Sequence, residues 1–119
     1  MARSEDLLYA PSKWSVVDSQ VAGACTATKA ASTAGQRHFI TGISISASAA
    51  PVSAMVAQLL DGVTVLDQWE IPAAAFSPIV LNFVRPFRGS ANTLASLTLS
   101  TGGAGVTTSI TLRGFTASD

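Results

Sequence analysis

Apolar and polar residues alternate with a period of two along most of the chain. In HFITGISISAS, Phe39, Thr41, Ile43, Ile45 and Ala47 fall on one face, and the serines from Ser44 to Ser48 fall on the other. Successive side chains of a strand point to opposite faces, so this pattern predicts a half-buried β-strand. Two further segments repeat the pattern. The predicted core residues of VTTSITLRGF are Val106, Thr108, Ile110 and Leu112. Those of NTLASLTLS are Ala95, Leu97 and Leu99.

Two more alternating segments, VSAMVAQLL and VTVLDQW, are joined by Asp61-Gly62. Both residue types tolerate the positive φ of a two-residue turn, so we predict a β-hairpin with these residues in the turn. The segments SPIVLNFV, KWSVVD and ACTATK complete about eight strands, and Gly or Pro residues separate them at spacings of roughly ten residues. This predicts an all-β fold, a single antiparallel β-sandwich of residues 14–119, and eight strands favour a jelly roll over a seven-stranded immunoglobulin-like domain.

The first 13 residues differ from the rest and are predicted to form an N-terminal arm. Charged residues surround the apolar group Leu7, Leu8 and Tyr9, and Pro11 follows. These three side chains are too apolar for a tail in water, and the segment lacks the alternation of a core strand. The arm is expected to dock on its own domain or on a partner. We predict that residues 1–12 cross to a neighbouring subunit or to another protein surface.

Composition indicates a chain whose surface is covered by other molecules. Of its 119 residues, 48% are hydrophobic and only 12% are charged, against about a quarter in an ordinary soluble domain, and seven basic residues balance seven acidic ones. A neutral surface gives no electrostatic footprint for nucleic acid. Short Ala, Ser and Thr side chains lose little entropy on packing, and zero net charge removes self-repulsion. We expect a homo-oligomer, most simply a trimer.

Candidate chemistry is sparse, and we expect no enzyme, no cofactor and no metal site. His38 is the single histidine and stands at the start of a strand, without a nucleophile-elbow motif for a catalytic triad. Cys25 lies among small residues and is expected to be a buried, inert thiol. Asp67 and Glu70 are three residues apart on a strand, so they point to opposite faces. The uncharged run from residue 39 to 60 is broken by Gly and Pro and does not predict a membrane span, and no secretory signal follows Met1.

The segment VRPFRGSANTL is the candidate partner interface within the β region. Pro86 cannot donate to a strand ladder, so we predict that the strand ends there and the chain turns outward, with Arg85, Phe87 and Arg88 close together. One interpretation is that an arginine pairs with an acid of the same chain and Phe87 belongs to the core. The other is that Arg85 or Arg88 binds a carboxylate of a partner, for which the planar guanidinium is well suited.

The run LLDGVTVLDQWEIPAAAFSPIVLNFVRPFRGSANTLASLTLSTGGAG resembles, in style, the small decoration (cement) proteins of tailed bacteriophage heads. The resemblance covers roughly residues 14–116 and has no diagnostic motif, so it assigns no role to a numbered residue. It implies a jelly-roll or barrel-like body, often trimeric, that binds the major capsid protein on the virion surface without a cofactor. A tail or fibre module that binds a host glycan is the alternative. Such a site usually presents several exposed Trp or Tyr side chains, and the chain has one Tyr.

Overall fold

The computed structural model describes residues 13–33, 35–74 and 76–118. Leu7, Leu8 and Tyr9, and with them nearly all of the predicted arm, lie outside the described residues. The described part contains eight strands and no helix: β1 (Lys13–Val21), β2 (Cys25–Lys29), β3 (Gln36–Ala47), β4 (Met55–Asp61), β5 (Thr64–Ile71), β6 (Ile79–Ala91), β7 (Ala95–Leu99) and β8 (Thr107–Ser118).

The strands form two four-stranded antiparallel sheets. The first sheet has the order β1-β8-β3-β6, and the second has the order β2-β7-β4-β5. Every connection between consecutive strands crosses from one sheet to the other, except the β4–β5 hairpin. Two four-stranded sheets connected in this way form a jelly roll, which confirms the predicted all-β fold and the predicted topology.

The core lies between the inner faces of the two sheets. Alternate residues of each strand point inward, so the first sheet contributes Ile43, Ile45, Ile110 and Leu112, and the second contributes Met55, Leu59, Leu97 and Leu99; each of these side chains is at most 1% exposed. The predicted inward sets of β7 and β8 are confirmed, with Thr108 fully buried beside Cys25.

The inward face predicted for β3 is correct only beyond Gly42. His38 and Ile40 are buried, whereas Phe39 and Thr41 lie on the outer side of the sheet. The cause is a β-bulge, since Ile40 pairs with Gly114 and Gly42 pairs with the preceding residue of β8, which leaves Thr41 as an extra residue. One inserted residue exchanges the two faces of a strand.

The β4–β5 hairpin is confirmed, but its turn is shifted by one residue from the prediction. Asp61 pairs with Thr64, so the two turn residues are Gly62 and Val63. Gly62 has φ +63°, as the first central position of a type II′ turn requires. Asp61 stays in the strand, where its carboxylate accepts hydrogen bonds from Ser90.

Strand β6 continues through Pro86 instead of ending there. Asn82 pairs with Gly42 and Phe87 pairs with Ile40, so residues 83–86 bulge out of the ladder opposite Thr41. Strand β6 is an edge strand, where a proline removes no hydrogen bond to a further neighbour. The prediction of a strand end at Pro86 is therefore wrong, although the outward bulge is present.

Candidate functional site

The segment around Pro86 divides its side chains among three environments. Phe87 points inward, packs against the core and meets the Phe83 ring edge-to-face at a centroid distance of 4.9 Å. Arg88 points outward from the first sheet, opposite Phe39. Arg85 is exposed in the bulge beside Val84, which is 100% exposed. Phe87 therefore belongs to the core layer, and only Arg85 and Arg88 remain candidate contacts for a partner.

A row of four side chains crosses the outer face of the first sheet. Lys13 of β1 pairs with Phe115 of β8, Phe115 pairs with Phe39 of β3, and Phe39 pairs with Arg88 of β6. The two phenylalanine rings are stacked, with centroids 4.9 Å apart and planes 9° from parallel. Both rings are half-buried and both cations are exposed. We call this set the cation–phenylalanine row.

The outer face that carries the row is basic. Arg37 and Arg113 lie on the same face, and the Arg113 guanidinium donates to Ser44 Oγ at 3.4 Å and to the Ile43 carbonyl at 3.3 Å. None of the described carboxylates lies on this face: they belong to Asp18, which turns toward β2, and to Asp61, Asp67 and Glu70 of the second sheet. A cavity of about 360 Å³ opens beside the row, lined by Lys13, Trp14, Ser15, Thr41, Arg113, Gly114 and Phe115.

One end of the sandwich carries no charged residue among those that the structure describes. The registers bring four connections together there, since β1 ends and β8 begins at the pair Val21–Thr107, and β3 ends at the pair Ala47–Thr108. We call this surface the uncharged end; its described residues are 22–24, 48–54, 72–74, 76–78 and 100–106. They are Ala, Gly, Ser, Thr, Pro, Val and Phe only, and Val52 is 68% exposed among them.

Backbone hydrogen bonds fix these loops to one another. The Val52 amide donates to the Gly102 carbonyl at 2.7 Å, and the Ala74 amide donates to the Pro51 carbonyl at 2.9 Å. At the adjoining corner, the Ala22 amide donates to the Val106 carbonyl at 2.9 Å. The uncharged end is therefore a preorganised surface, in which backbone hydrogen bonds between loops fix the positions of the small side chains.

His38 has a structural role at the opposite end of the sandwich. Its ring is 1% exposed, with Nδ1 2.7 Å from Thr116 Oγ1 and Nε2 2.7 Å from the Ala30 carbonyl. Trp14 Nε1 donates to the same Thr116 hydroxyl at 3.0 Å, and its ring meets His38 edge-to-face. The Lys29 ammonium lies 5.9 Å from the centroid of the Trp14 ring. Both ring nitrogens of His38 therefore have hydrogen-bond partners within the fold.

The remaining candidate groups are placed as follows. Cys25 is fully buried, as predicted, with its thiol 3.1 Å from Thr108 Oγ1. Asp18 accepts from the Thr26 amide at 2.8 Å and from the Gln20 amide group, which lowers the pKa of its carboxyl below the usual 3.8. Within residues 13–33, 35–74 and 76–118, no three His, Cys, Asp or Glu side chains form a group that could hold a metal ion. The same residues contain no helix long and apolar enough to cross a membrane.

The chain matches no protein-family model and no curated protein sequence. Among solved structures it is similar to the CBM36-1 domain of a multidomain xylanase from the hindgut metagenome of Trinervitermes trinervoides, with a TM-score of 0.47 and 9% identity over 86% of this chain and 94% of that one. It is also similar to the PRD1 vertex protein P5, with a TM-score of 0.46 and 12% identity over 87% and 96% of the two chains. A CBM36 module solved with calcium and xylotriose gives a TM-score of 0.35 and 10% identity over 83% and 76%. All three likenesses are distant, so the jelly-roll assignment rests on the strand order of the two sheets.

Proposed function

We propose that this protein is a structural virion protein that binds the outside of a phage capsid, through the major capsid protein, and stabilises the coat lattice. It acts without catalysis and without a cofactor. The observation that carries the proposal is the uncharged end. It is a surface of exposed small side chains on loops that are hydrogen-bonded to one another.

Such a surface suits permanent contact with another protein. The centres of protein interfaces are depleted in charged residues, because a charge buried without a partner is costly. Ala, Gly and Ser lose almost no side-chain entropy on burial, and loops that are already ordered lose little backbone entropy. Val52, the large exposed apolar residue of this end, provides the apolar area for the contact.

The arrangement of the tryptophans weighs against the alternative of a tail or fibre module that binds a glycan. Stacking on a sugar needs an exposed ring face. Trp14 and Trp69 are both half-buried and pack against the core, and the Trp14 indole is also bonded to Thr116. Because these rings serve the sandwich itself, we do not adopt glycan binding as a second function.

The test is binding to particles of the virus that encodes the chain. Mass spectrometry of purified particles should find the protein in hundreds of copies, about as many as a decorated lattice offers. Particles stripped of the protein should bind it again, and Val52→Asp should weaken this binding at least thirtyfold, because about 2 kcal/mol or more is lost when an unpaired carboxylate is buried.

The matched control is Val63→Asp. Val63 is 95% exposed in the β4–β5 turn, at the opposite end of the sandwich. Both substitutions should leave the thermal unfolding transition within error of the parent, since both side chains project into solvent. Absence of the protein from the particles, or equal binding by both variants, would contradict the proposal.

A further inference from the structure

The outer face of the first sheet combines cationic side chains with a pair of half-exposed phenylalanine rings. Lys13, at which β1 begins, is also the first member of the cation–phenylalanine row. We propose, in place of the crossing to a neighbour expected from the sequence, that residues 5–9 of the same chain, Glu-Asp-Leu-Leu-Tyr, dock on this face in an intramolecular contact. The inference concerns the arm alone and does not depend on the proposed capsid function.

Charge complementarity is the first support. Lys13 and Arg113 project on this face, and none of the described carboxylates lies there. The arm carries Glu5 and Asp6 side by side. An arginine matches a carboxylate with two parallel N–H donors and a lysine attracts one as a point charge, so these two acids suit the Arg113 guanidinium and the Lys13 ammonium.

Apolar complementarity is the second support. The stacked rings of Phe39 and Phe115 are half-exposed on a surface whose uncharged side chains are mostly Ser, Thr and Val. Beside them lies the cavity of about 360 Å³, walled by Trp14, Thr41 and Phe115 with a cation at two of its edges. Leucine or tyrosine side chains of the arm would bury apolar area there, and a tyrosine ring can stack on the phenylalanine pair while its hydroxyl stays in water.

The length of the arm and the order of its residues give the third support. The row crosses three interstrand spacings, about 14 Å in total. An extended chain covers about 3.3 Å per residue, so four residues span about 13 Å and seven span about 23 Å. A tyrosine four residues before Lys13 is therefore long enough in reach for the phenylalanine rings, and an acid seven residues before it for the full width of the row. A tethered segment also has an effective concentration in the millimolar range, which favours the chain's own arm over that of a second copy.

Tyr9 is the single tyrosine of the chain, so fluorotyrosine labelling places one ¹⁹F probe in the arm. A docked arm gives the ¹⁹F line width of the whole domain, whereas a free arm gives a narrow line. The double variant Glu5→Gln, Asp6→Asn should raise the undocked fraction about threefold to tenfold, and added salt should have the same effect. This variant changes only the arm, so it cannot unfold the sandwich. Phe115→Ala should release Tyr9, while Thr98→Ala, on the outer face of the second sheet, should leave the line unchanged.

Engineered disulfides separate docking within one chain from exchange between chains. Leu8→Cys is combined with Thr41→Cys, which lines the cavity, and Cys25 is retained because it is buried. Oxidation should give a cross-linked species of monomer mass, and Leu8→Cys with Thr98→Cys should not cross-link. A cross-linked dimer would show that the arm belongs to a neighbouring copy, and a narrow ¹⁹F line in the parent would show that it does not dock. Either result would overturn the proposal.

Discussion

Gly114 illustrates how a single residue fixes the packing of the first sheet at the end where the arm joins. It is buried in β8, opposite Trp14 of β1. A methyl group at this position would overlap the Phe39 carbonyl oxygen and would lie 2.7 Å from Trp14 Cζ2. The glycine therefore leaves room for the indole beside the strand, where it donates to Thr116 and contacts His38.

Gly114→Ala is expected to destabilise the fold by about 1–3 kcal/mol, because the added carbon meets rigid backbone and a packed ring. Gly23→Ala is the matched control: the nearest atom to its added carbon is Gln20 Cβ at 3.6 Å, an ordinary contact. Urea denaturation of both variants measures the two free energies of unfolding. Equal stability of the two variants would mean that the indole moves aside at no cost.

At the scale of elements, Asp61 joins the two sheets. It ends β4 in the second sheet, and its carboxylate accepts from Ser90 of β6 in the first: both oxygens lie 3.1 Å from the Ser90 amide, and one lies 2.7 Å from the hydroxyl. Bonds to an ionised acceptor are stronger than bonds between neutral groups. The hairpin and the edge strand are thereby held together at the end where Val63 lies.

Asp61→Ala should lower the free energy of unfolding by about 1–2 kcal/mol, because the Ser90 amide and hydroxyl lose their acceptor. Asp67→Ala is the control. Its carboxylate is exposed on β5 and accepts from the adjacent Gln68 amide, so a change within about 0.5 kcal/mol is expected. Denaturant unfolding at neutral pH compares the two, and a larger effect at Asp67 would contradict the role assigned to Asp61.

The strands could be predicted from the sequence because a period of two directly reflects burial on one face. The bulges could not be predicted this way. The alternation in HFITGIS looks unbroken, yet the extra residue Thr41 sends Phe39 outward and His38 inward, and it faces a second bulge at residues 83–86 of β6. Only the pairing of two strands distant in sequence reveals that mismatch. For the same reason the sequence predicts a strand end at Pro86, whereas β6 continues on the far side of the bulge.

At the scale of the whole molecule, the basic outer face of the first sheet and the uncharged end are two separate surfaces. The uncharged end gathers four connections that lie far apart in the chain, and the cation–phenylalanine row gathers one residue from each strand of the first sheet. Neither surface can be predicted from the sequence without knowledge of the strand order. The sequence does show that each of the four connections contains no charged residue, but not that they lie together. The topology turns these scattered segments into two distinct surfaces, one suited to permanent burial and one suited to an acidic segment.

Arg85 provides the test of self-association. It is exposed beside Val84 on the bulge of an edge strand, where it can reach a carboxylate of a neighbouring subunit without disturbing its own sheet. We predict a homotrimer, with a mass three times the 12.1 kDa of the chain by light scattering at micromolar concentration. Arg85→Ala should dissociate it, since a desolvated guanidinium–carboxylate contact contributes about 2–5 kcal/mol, while the melting temperature of the subunit fold should stay within error because an exposed side chain contributes little to it. Arg85→Lys keeps the charge but loses the two-donor geometry, so it should give an intermediate dissociation constant. A monomer in the parent protein would contradict self-association but not the proposed binding of the uncharged end to a coat, because the two proposed contacts use different surfaces.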